Sequence, residues 1–144
     1  MVRRAVLAAA LVLAGCGSSG PHLSMAAYTH QGDAICSRYE ADIHQLGQPT
    51  KLTDIGPFIT RALPILERTV TALGAIHPPS DREDQYGKFL AAARGTVTRA
   101  KALRAAATQA DAPTVQQLLG AAARASAPRA ALARAAGLSA CALS

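Results

Sequence analysis

Three proline-containing breaks divide the chain after residue 25 into four long stretches of helix-favouring residues. Alanine has the highest intrinsic helix propensity and is depleted in strands, and it contributes 34 of the 144 residues. Within the stretches, apolar side chains recur at spacings of three and four residues, which is the period of one helix face. The sequence therefore predicts an all-α fold, a four-helix up-down bundle with short connections.

The breaks and the patterns between them predict approximate bounds for the helices. The breaks are Gly47-Gln48-Pro49, His77-Pro78-Pro79 and Asp111-Ala112-Pro113. The first predicted helix is Ala26–Leu46, and the second follows an N-cap at Thr53 or Asp54. The capping-box pattern Ser80-Asp81-Arg82-Glu83 opens the third. The fourth is Ala112–Ala136, with Asp111 as its N-cap. Pro64 and Pro128 fall inside helices and predict kinks. Gly137 followed by Leu138 predicts a Schellman ending.

The N-terminal segment has the pattern of an export signal. Two arginines, Arg3 and Arg4, precede an apolar run over residues 5–14 that is too short to span a bilayer. The arginine pair hints at twin-arginine export, but the rest of that pattern is missing, so we expect the general secretory route.

The run ends in Leu13-Ala14-Gly15-Cys16, which resembles a bacterial lipobox. The resemblance implies cleavage before Cys16 and a diacylglyceryl group on its thiol. We therefore expect a signal peptide over 1–15, a lipidated cysteine and flexible tether over 16–25, and a bundle domain over 26–144. The protein would be anchored at the extracytoplasmic face of the cell membrane. The alternative is a plain secreted protein in which Cys16 is free or disulfide-bonded.

The cysteines predict one disulfide that closes the bundle. If Cys16 carries lipid, Cys36 and Cys141 remain as a pair in an oxidising compartment. An up-down bundle of four helices places the start of the first helix and the end of the last at the same end. We therefore expect a Cys36–Cys141 bridge, with two free or redox-active thiols as the alternative.

Charge is distributed unevenly along the chain. Residues 85–144 carry eight Lys or Arg residues against one acidic residue, whereas residues 21–84 carry a small excess of acidic residues. A basic half can contact nucleic acid or an anionic surface, but outside the cytoplasm nucleic acid is excluded as a partner. The candidate basic contact surface consists of Arg94, Arg99, Arg104, Arg124, Arg129 and Arg134. The alternative is that these arginines are ordinary solvated helix residues.

The sequence contains no recognisable catalytic or metal-binding motif, and we expect no enzyme activity, metal or cofactor. The four histidines are dispersed, and His30 and His44 lie roughly 21 Å apart along one predicted helix, too far to share a metal ion. The acidic residues Asp81, Glu83 and Asp84 would lie in the first turn of the third helix, where they offset the helix dipole.

The mature chain resembles small Ala-rich actinobacterial lipoproteins in its layout. The shared features are an early cysteine in a helix, a Pro-Pro break and the terminal sequence Gly137-Leu138-Ser139-Ala140-Cys141. The resemblance implies a helical envelope domain with no assigned activity. Two functions follow as hypotheses. The first is a non-enzymatic lipoprotein that acts through contacts with an envelope protein or an anionic envelope surface. The alternative is a carrier of a small apolar ligand or haem between the kinked helices 2 and 4, with Tyr39 and Tyr86 as the inward candidates for haem.

Overall fold

A computed structural model describes residues 21–143 of the chain. Within this range the chain forms four α-helices and no strands, which confirms the predicted all-α class. The helices are α1 (Met25–Gln45), α2 (Leu52–Gly74), α3 (Glu83–Thr108) and α4 (Ala112–Ala135). A short 3-10 turn, Ser80–Arg82, leads into α3, and a second one, Ala140–Ala142, follows α4.

The helices alternate in direction, as an up-down bundle requires. One core cluster joins the start of α1 and of α3 to the ends of α2 and α4. The second cluster joins the start of α2 and of α4 to the end of α3. Consecutive helices pack closely on each other, but in the described range α1 and α4 have almost no direct backbone contact. The C-terminal turn contacts both α1 and α4, so one end of the seam between them is filled and the remainder is open.

The filled end contains the aromatic part of the core. Tyr28 of α1 and Tyr86 of α3 meet edge to face with their ring centroids 5.6 Å apart, and Phe89 lies beside Tyr86. The Tyr86 hydroxyl donates a hydrogen bond to the carbonyl oxygen of Leu73 in α2. These contacts tie α1, α2 and α3 together where the chain enters the bundle.

The other cluster is built from aliphatic side chains of α2 packed on alanines of α3. Ile59, Leu63 and Leu66 are buried, and α3 contributes mainly small residues there, such as Ala100 and Ala106. Because an alanine methyl group lets two helix backbones approach closely, this half of the core is thin and low in aromatic surface.

The end of α4 has the predicted Schellman geometry. Gly137 adopts a left-handed φ of +83°, its N–H donates to the carbonyl of Arg134, and the N–H of Leu138 donates to the carbonyl of Ala133. The side chain of Leu138 is fully buried and packs against Gly32 of α1. The turn therefore directs the C-terminal residues back onto α1.

The predicted disulfide is present at this end of the bundle. Cys36 of α1 and Cys141 of the C-terminal turn are bonded, with their Cα atoms 5.0 Å apart and a sequence separation of 105. Asp33, one turn before Cys36, accepts 2.9 Å hydrogen bonds from the Ser139 hydroxyl and the Ala140 backbone N–H. The bridge and the carboxylate together fasten the end of the chain to α1.

The helix starts agree with the sequence only in part. Asp111 caps α4 as predicted, accepting a 3.1 Å hydrogen bond from the Thr114 N–H. Hydrogen bonding to the side chain and then to the backbone of Thr114 lowers the pKa of Asp111. The predicted N-cap of α2 is wrong, since α2 already begins at Leu52 and Asp54 reaches back to the Lys51 N–H. The predicted capping box at Ser80 is also wrong, because residues 80–82 form the 3-10 turn and no side chain caps it.

Both internal prolines lie on the solvent side of their helices. The α-helical assignment of α2 and α4 continues through Pro64 and Pro128, and both rings are exposed. The hydrogen bond that each proline removes is therefore lost on a face that water can reach. The predicted kinks stay a prediction.

The flexible tether predicted over residues 16–25 ends before residue 25, because the last of these residues already contact the bundle. Ser24 caps α1, the Leu23 N–H donates to the carbonyl of His77, and Leu23 packs partly into the core. The signal segment and Cys16 lie outside the described residues. Among the residues that are described, no helix combines the length and the hydropathy needed to cross a bilayer.

Candidate functional site

A cavity of about 290 Å³ lies between the helices, at the part of the seam that the C-terminal turn leaves open. All four helices contribute to its wall. The lining residues are Tyr39, Ile43, Phe58, Ile59, Ala62, Leu66, Thr96, Arg99, Ala100, Ala122, Ala125, Ser126 and Arg129. Pro64 and Pro128 belong to the same stretches of α2 and α4, on the outer side.

The wall of the cavity is mainly apolar. Phe58 and Ile59 share one turn of α2, and Ala62 and Leu66 follow one and two turns later, so one face of this helix forms a continuous apolar strip. The α4 side of the wall consists of Ala122, Ala125, Ser126 and Arg129, of which the first three are small. Because alanines replace larger side chains on that wall, space remains between the helices where a bulkier core would have closed it.

Two arginines give the cavity its charge. Arg99 of α3 is half-buried, and its Nη2 donates a 3.1 Å hydrogen bond to the Thr96 hydroxyl. The Nε of Arg99 is buried and has no hydrogen-bond acceptor among residues 21–143. Arg129 of α4 is half-buried as well and lines the same space. No carboxylate belongs to the lining, so the cavity is positively charged.

Tyr39 of α1 is the third ionisable group in the wall. Burial raises the pKa of its hydroxyl, and the positive charge of Arg129 acts in the opposite direction. The phenol is therefore neutral at physiological pH and can donate a hydrogen bond into the cavity. The effect of Arg129 on this pKa shows that the side chains of Tyr39 on α1 and Arg129 on α4 lie near each other across the seam.

A small extension continues from the cavity towards the disulfide. Its volume is about 30 Å³, and Tyr39, Leu66, Thr96 and Arg129 line both spaces. Cys36 and Cys141 form its far wall. This volume corresponds to about one water molecule, at roughly 30 Å³ per molecule in the liquid.

The six arginines that were predicted to form one basic surface do not share one face of the bundle. A helix turns by about 100° per residue, so a spacing of five residues rotates a side chain by about 140° relative to the previous one. Arg99 and Arg129 consequently face the cavity, whereas Arg94, Arg104, Arg124 and Arg134 are exposed. Arg94 extends towards Gly74 of α2, away from the seam.

The other residues considered from the sequence stay apart from the cavity. All four histidines are exposed, and no group of His, Cys, Asp and Glu in the described part of the chain could hold a metal ion. Of the two tyrosines considered for haem, Tyr86 uses its hydroxyl to bind the carbonyl of Leu73, and only Tyr39 lines the cavity. The space is also much smaller than a porphyrin, which leaves a small ligand as the better fit.

Sequence reasoning did not recognise that Arg99 and Arg129 turn inwards. The signal was present in the sequence: Arg99 lies two residues after Val97 and one before Ala100, two apolar residues that pack in the core. A charged residue beside an apolar stripe of a helix lies at the margin of the packed face, from which a long side chain can extend inwards.

Comparison with known proteins finds no matching family model, no matching curated protein and no matching solved structure. The function therefore has to be inferred from the site itself. Three other hollows are larger or similar in volume: one lies on the exposed face between α1 and α2, one on the outer face of α1 and one beside the loops at the far end. In contrast to these three, the cavity around Arg99 has all four helices in its wall.

Proposed function

We propose that this chain is a lipid-anchored, extracytoplasmic lipoprotein of the cell envelope whose helical bundle holds a small, mainly apolar ligand without transforming it. The observation that carries the proposal is the cavity between the four helices, with an apolar strip on α2 and a few polar groups on α1, α3 and α4. Ligand sites of proteins typically combine apolar walls with a few polar groups that orient the ligand.

The geometry supports the carrier hypothesis better than the surface-contact hypothesis. The carrier hypothesis expects a space between helices 2 and 4 near their prolines, and the cavity lies between those stretches. The surface-contact hypothesis needs the arginines on one face, and the spacing of five residues distributes them around α3 and α4 instead. An envelope protein that collects or delivers the ligand remains a natural partner.

The chemistry of the cavity supports binding and not catalysis. Its ionisable groups are two arginines and Tyr39, whose pKa is raised by burial. An arginine does not release its proton in proteins, and a phenol with a raised pKa is a poor base at neutral pH. The proposal therefore assigns no reaction to this site.

The position at the membrane rests on the sequence pattern Leu13-Ala14-Gly15-Cys16. Two acyl chains hold a protein stably at a bilayer, whereas one binds only marginally. Since the chain enters the bundle at the disulfide end, we propose that this end is nearest the membrane.

The ligand hypothesis is tested with a neutral fluorescent probe, N-phenyl-1-naphthylamine, added to the oxidised full-length chain carrying Cys16→Ala. That variant is not acylated and needs no detergent, which would compete for the cavity. We expect saturable probe fluorescence that 1-octanol displaces. Ala125→Leu, which fills the cavity, should abolish it, and Ala127→Leu, exposed on the same helix, should not. Equal binding by both variants would contradict the proposal.

The anchor is tested separately in cells that produce the unmodified chain. We expect the protein in the membrane fraction and, after detergent phase separation, in the detergent phase. Cys16→Ala should move it to the aqueous phase, whereas Cys36→Ala should leave its partitioning unchanged, because that cysteine pairs with Cys141. Retention of the Cys16→Ala protein in the detergent phase would contradict lipidation at this residue.

A further inference from the structure

We infer that the ligand is a small amphiphile with an anionic oxygen head group, which Arg99 and Arg129 bind while its apolar tail lies along α2. The inference rests on the proposed function and specifies the ligand class. It begins with charge: two guanidinium groups line one cavity, and no Asp or Glu residue is among the lining residues.

The half-buried position of Arg99 makes an anion the complementary ligand. Among residues 21–143, its side chain has no carboxylate within ion-pair distance, and its partner is the neutral hydroxyl of Thr96. The nearby Lys101, by contrast, forms a 2.8 Å ion pair with Glu67 on the outer surface. Removing a charge from water without a counterion costs free energy, and an anionic ligand would offset that cost.

Arg99 lines the cavity with a guanidinium group whose hydrogen-bonding capacity is only partly used. Its Nη2 donates to the Thr96 hydroxyl, and its Nε is buried without an acceptor among the described residues. Guanidinium groups bind carboxylates and phosphates through two parallel N–H···O bonds, which are stronger than bonds between neutral groups. Thr96, Ser126 and Tyr39 supply hydroxyl groups around the same space.

The volume of the cavity limits the size of the ligand. A volume of about 290 Å³ lies at the small end of the range of about 300–1,000 Å³ that is typical of ligand pockets. A straight chain of about eight carbons with a carboxylate is therefore a suitable probe. The strip from Phe58 to Leu66 is apolar throughout the lining, and the charges lie on α3 and α4 opposite it. The cavity therefore separates a place for the tail from a place for the head.

The test compares ligands that share one tail. Isothermal titration of the full-length chain carrying Cys16→Ala uses octanoate, monooctyl phosphate, 1-octanol and octyltrimethylammonium. We expect octanoate or octyl phosphate to bind at least ~10-fold more tightly than octanol, in line with a charged hydrogen bond. Their order distinguishes a carboxylate from a phosphate head group. The ammonium compound should bind more weakly than octanol.

Two matched variants show whether the preference for anionic ligands depends on Arg99. Arg99→Gln should remove most of the preference for the anions over octanol, whereas Arg104→Gln, exposed on the same helix, should keep that preference. If Arg99→Gln unfolds, the comparison of ligands on the chain with Arg99 intact still decides the inference. Equal affinity for octanol and octanoate would overturn the anionic head group and leave the proposed function standing. Failure of every ligand to bind would overturn both.

Discussion

The hydroxyl of Tyr28, in the first turn of α1, donates a 2.8 Å hydrogen bond to the carbonyl oxygen of Ala136, the C-cap of α4. Tyr28 is completely buried, so this bond satisfies two polar groups in the core. Together with the Cys36–Cys141 bridge, it closes the bundle at the end where residue 21 enters. The opposite part of the α1–α4 seam contains the cavity. One end of the bundle is therefore fixed and the other is available to a ligand.

The disulfide should account for a large share of the stability of the domain. Replacing both Cys36 and Cys141 with alanine should lower the free energy of unfolding by about 2–5 kcal/mol, because the unfolded chain regains the freedom of a long closed loop. Urea denaturation of the oxidised parent and of the double variant measures the difference. An unchanged midpoint would contradict this prediction.

Replacing Gly32 with alanine, a change that usually stabilises a helix, should destabilise this protein. A Cβ at this position would lie 2.6 Å from Cδ2 of the buried Leu138, so Gly32→Ala should destabilise the protein by about 1–3 kcal/mol. Gly87 of α3 has open space around it, and Gly87→Ala should stabilise by about 0.5–1 kcal/mol. Thermal unfolding followed by circular dichroism compares the two. A stabilising Gly32→Ala would show that Leu138 does not pack as described.

The three tyrosines should titrate only at strongly alkaline pH. Burial raises the pKa of Tyr28 to about 12 and raises the pKa values of Tyr39 and Tyr86 as well. Since the folded pKa values exceed the unfolded value near 10, this contribution to stability is complete below pH 10 and is lost as the pH rises towards 12 and beyond. Absorbance at 295 nm should show little phenolate at pH 10 in native protein and about half in urea. A native transition near pH 10 would contradict the burial.

Features of the fold that depend on local or periodic patterns could be predicted from the sequence. The approximate helix bounds follow from the breaks. The end of α4 follows from Gly137 and Leu138, because the Schellman turn requires a left-handed residue followed by a buried apolar one. The Cys36–Cys141 pair follows from the number of helices and their alternation.

The cavity depends on relationships that the sequence does not display directly. The C-terminal turn lies between α1 and α4 at one end, where Asp33 binds Ala140, and nothing local in either segment indicates this contact across 107 residues. On the α4 side the seam beyond it is lined by Ala122, Ala125 and Ser126, whose small side chains leave space between the helices. The inward position of Arg99 depends on how α3 is rotated about its axis, which only the packing of all four helices determines.

Isoleucine methyl spectra of the full-length chain carrying Cys16→Ala provide the most direct test of the central claim, that the space between the helices binds a small amphiphile. The chain has six isoleucines; Ile43 and Ile59 line the cavity, Ile35 lines the groove between α1 and α2, and Ile76 lies in the closed-end core. On titration with 1-octanol and then octanoate, we predict saturable shifts of the Ile43 and Ile59 methyl signals while those of Ile35 and Ile76 stay in place. Shifts confined to Ile35, or no shifts at any of the six, would contradict the account.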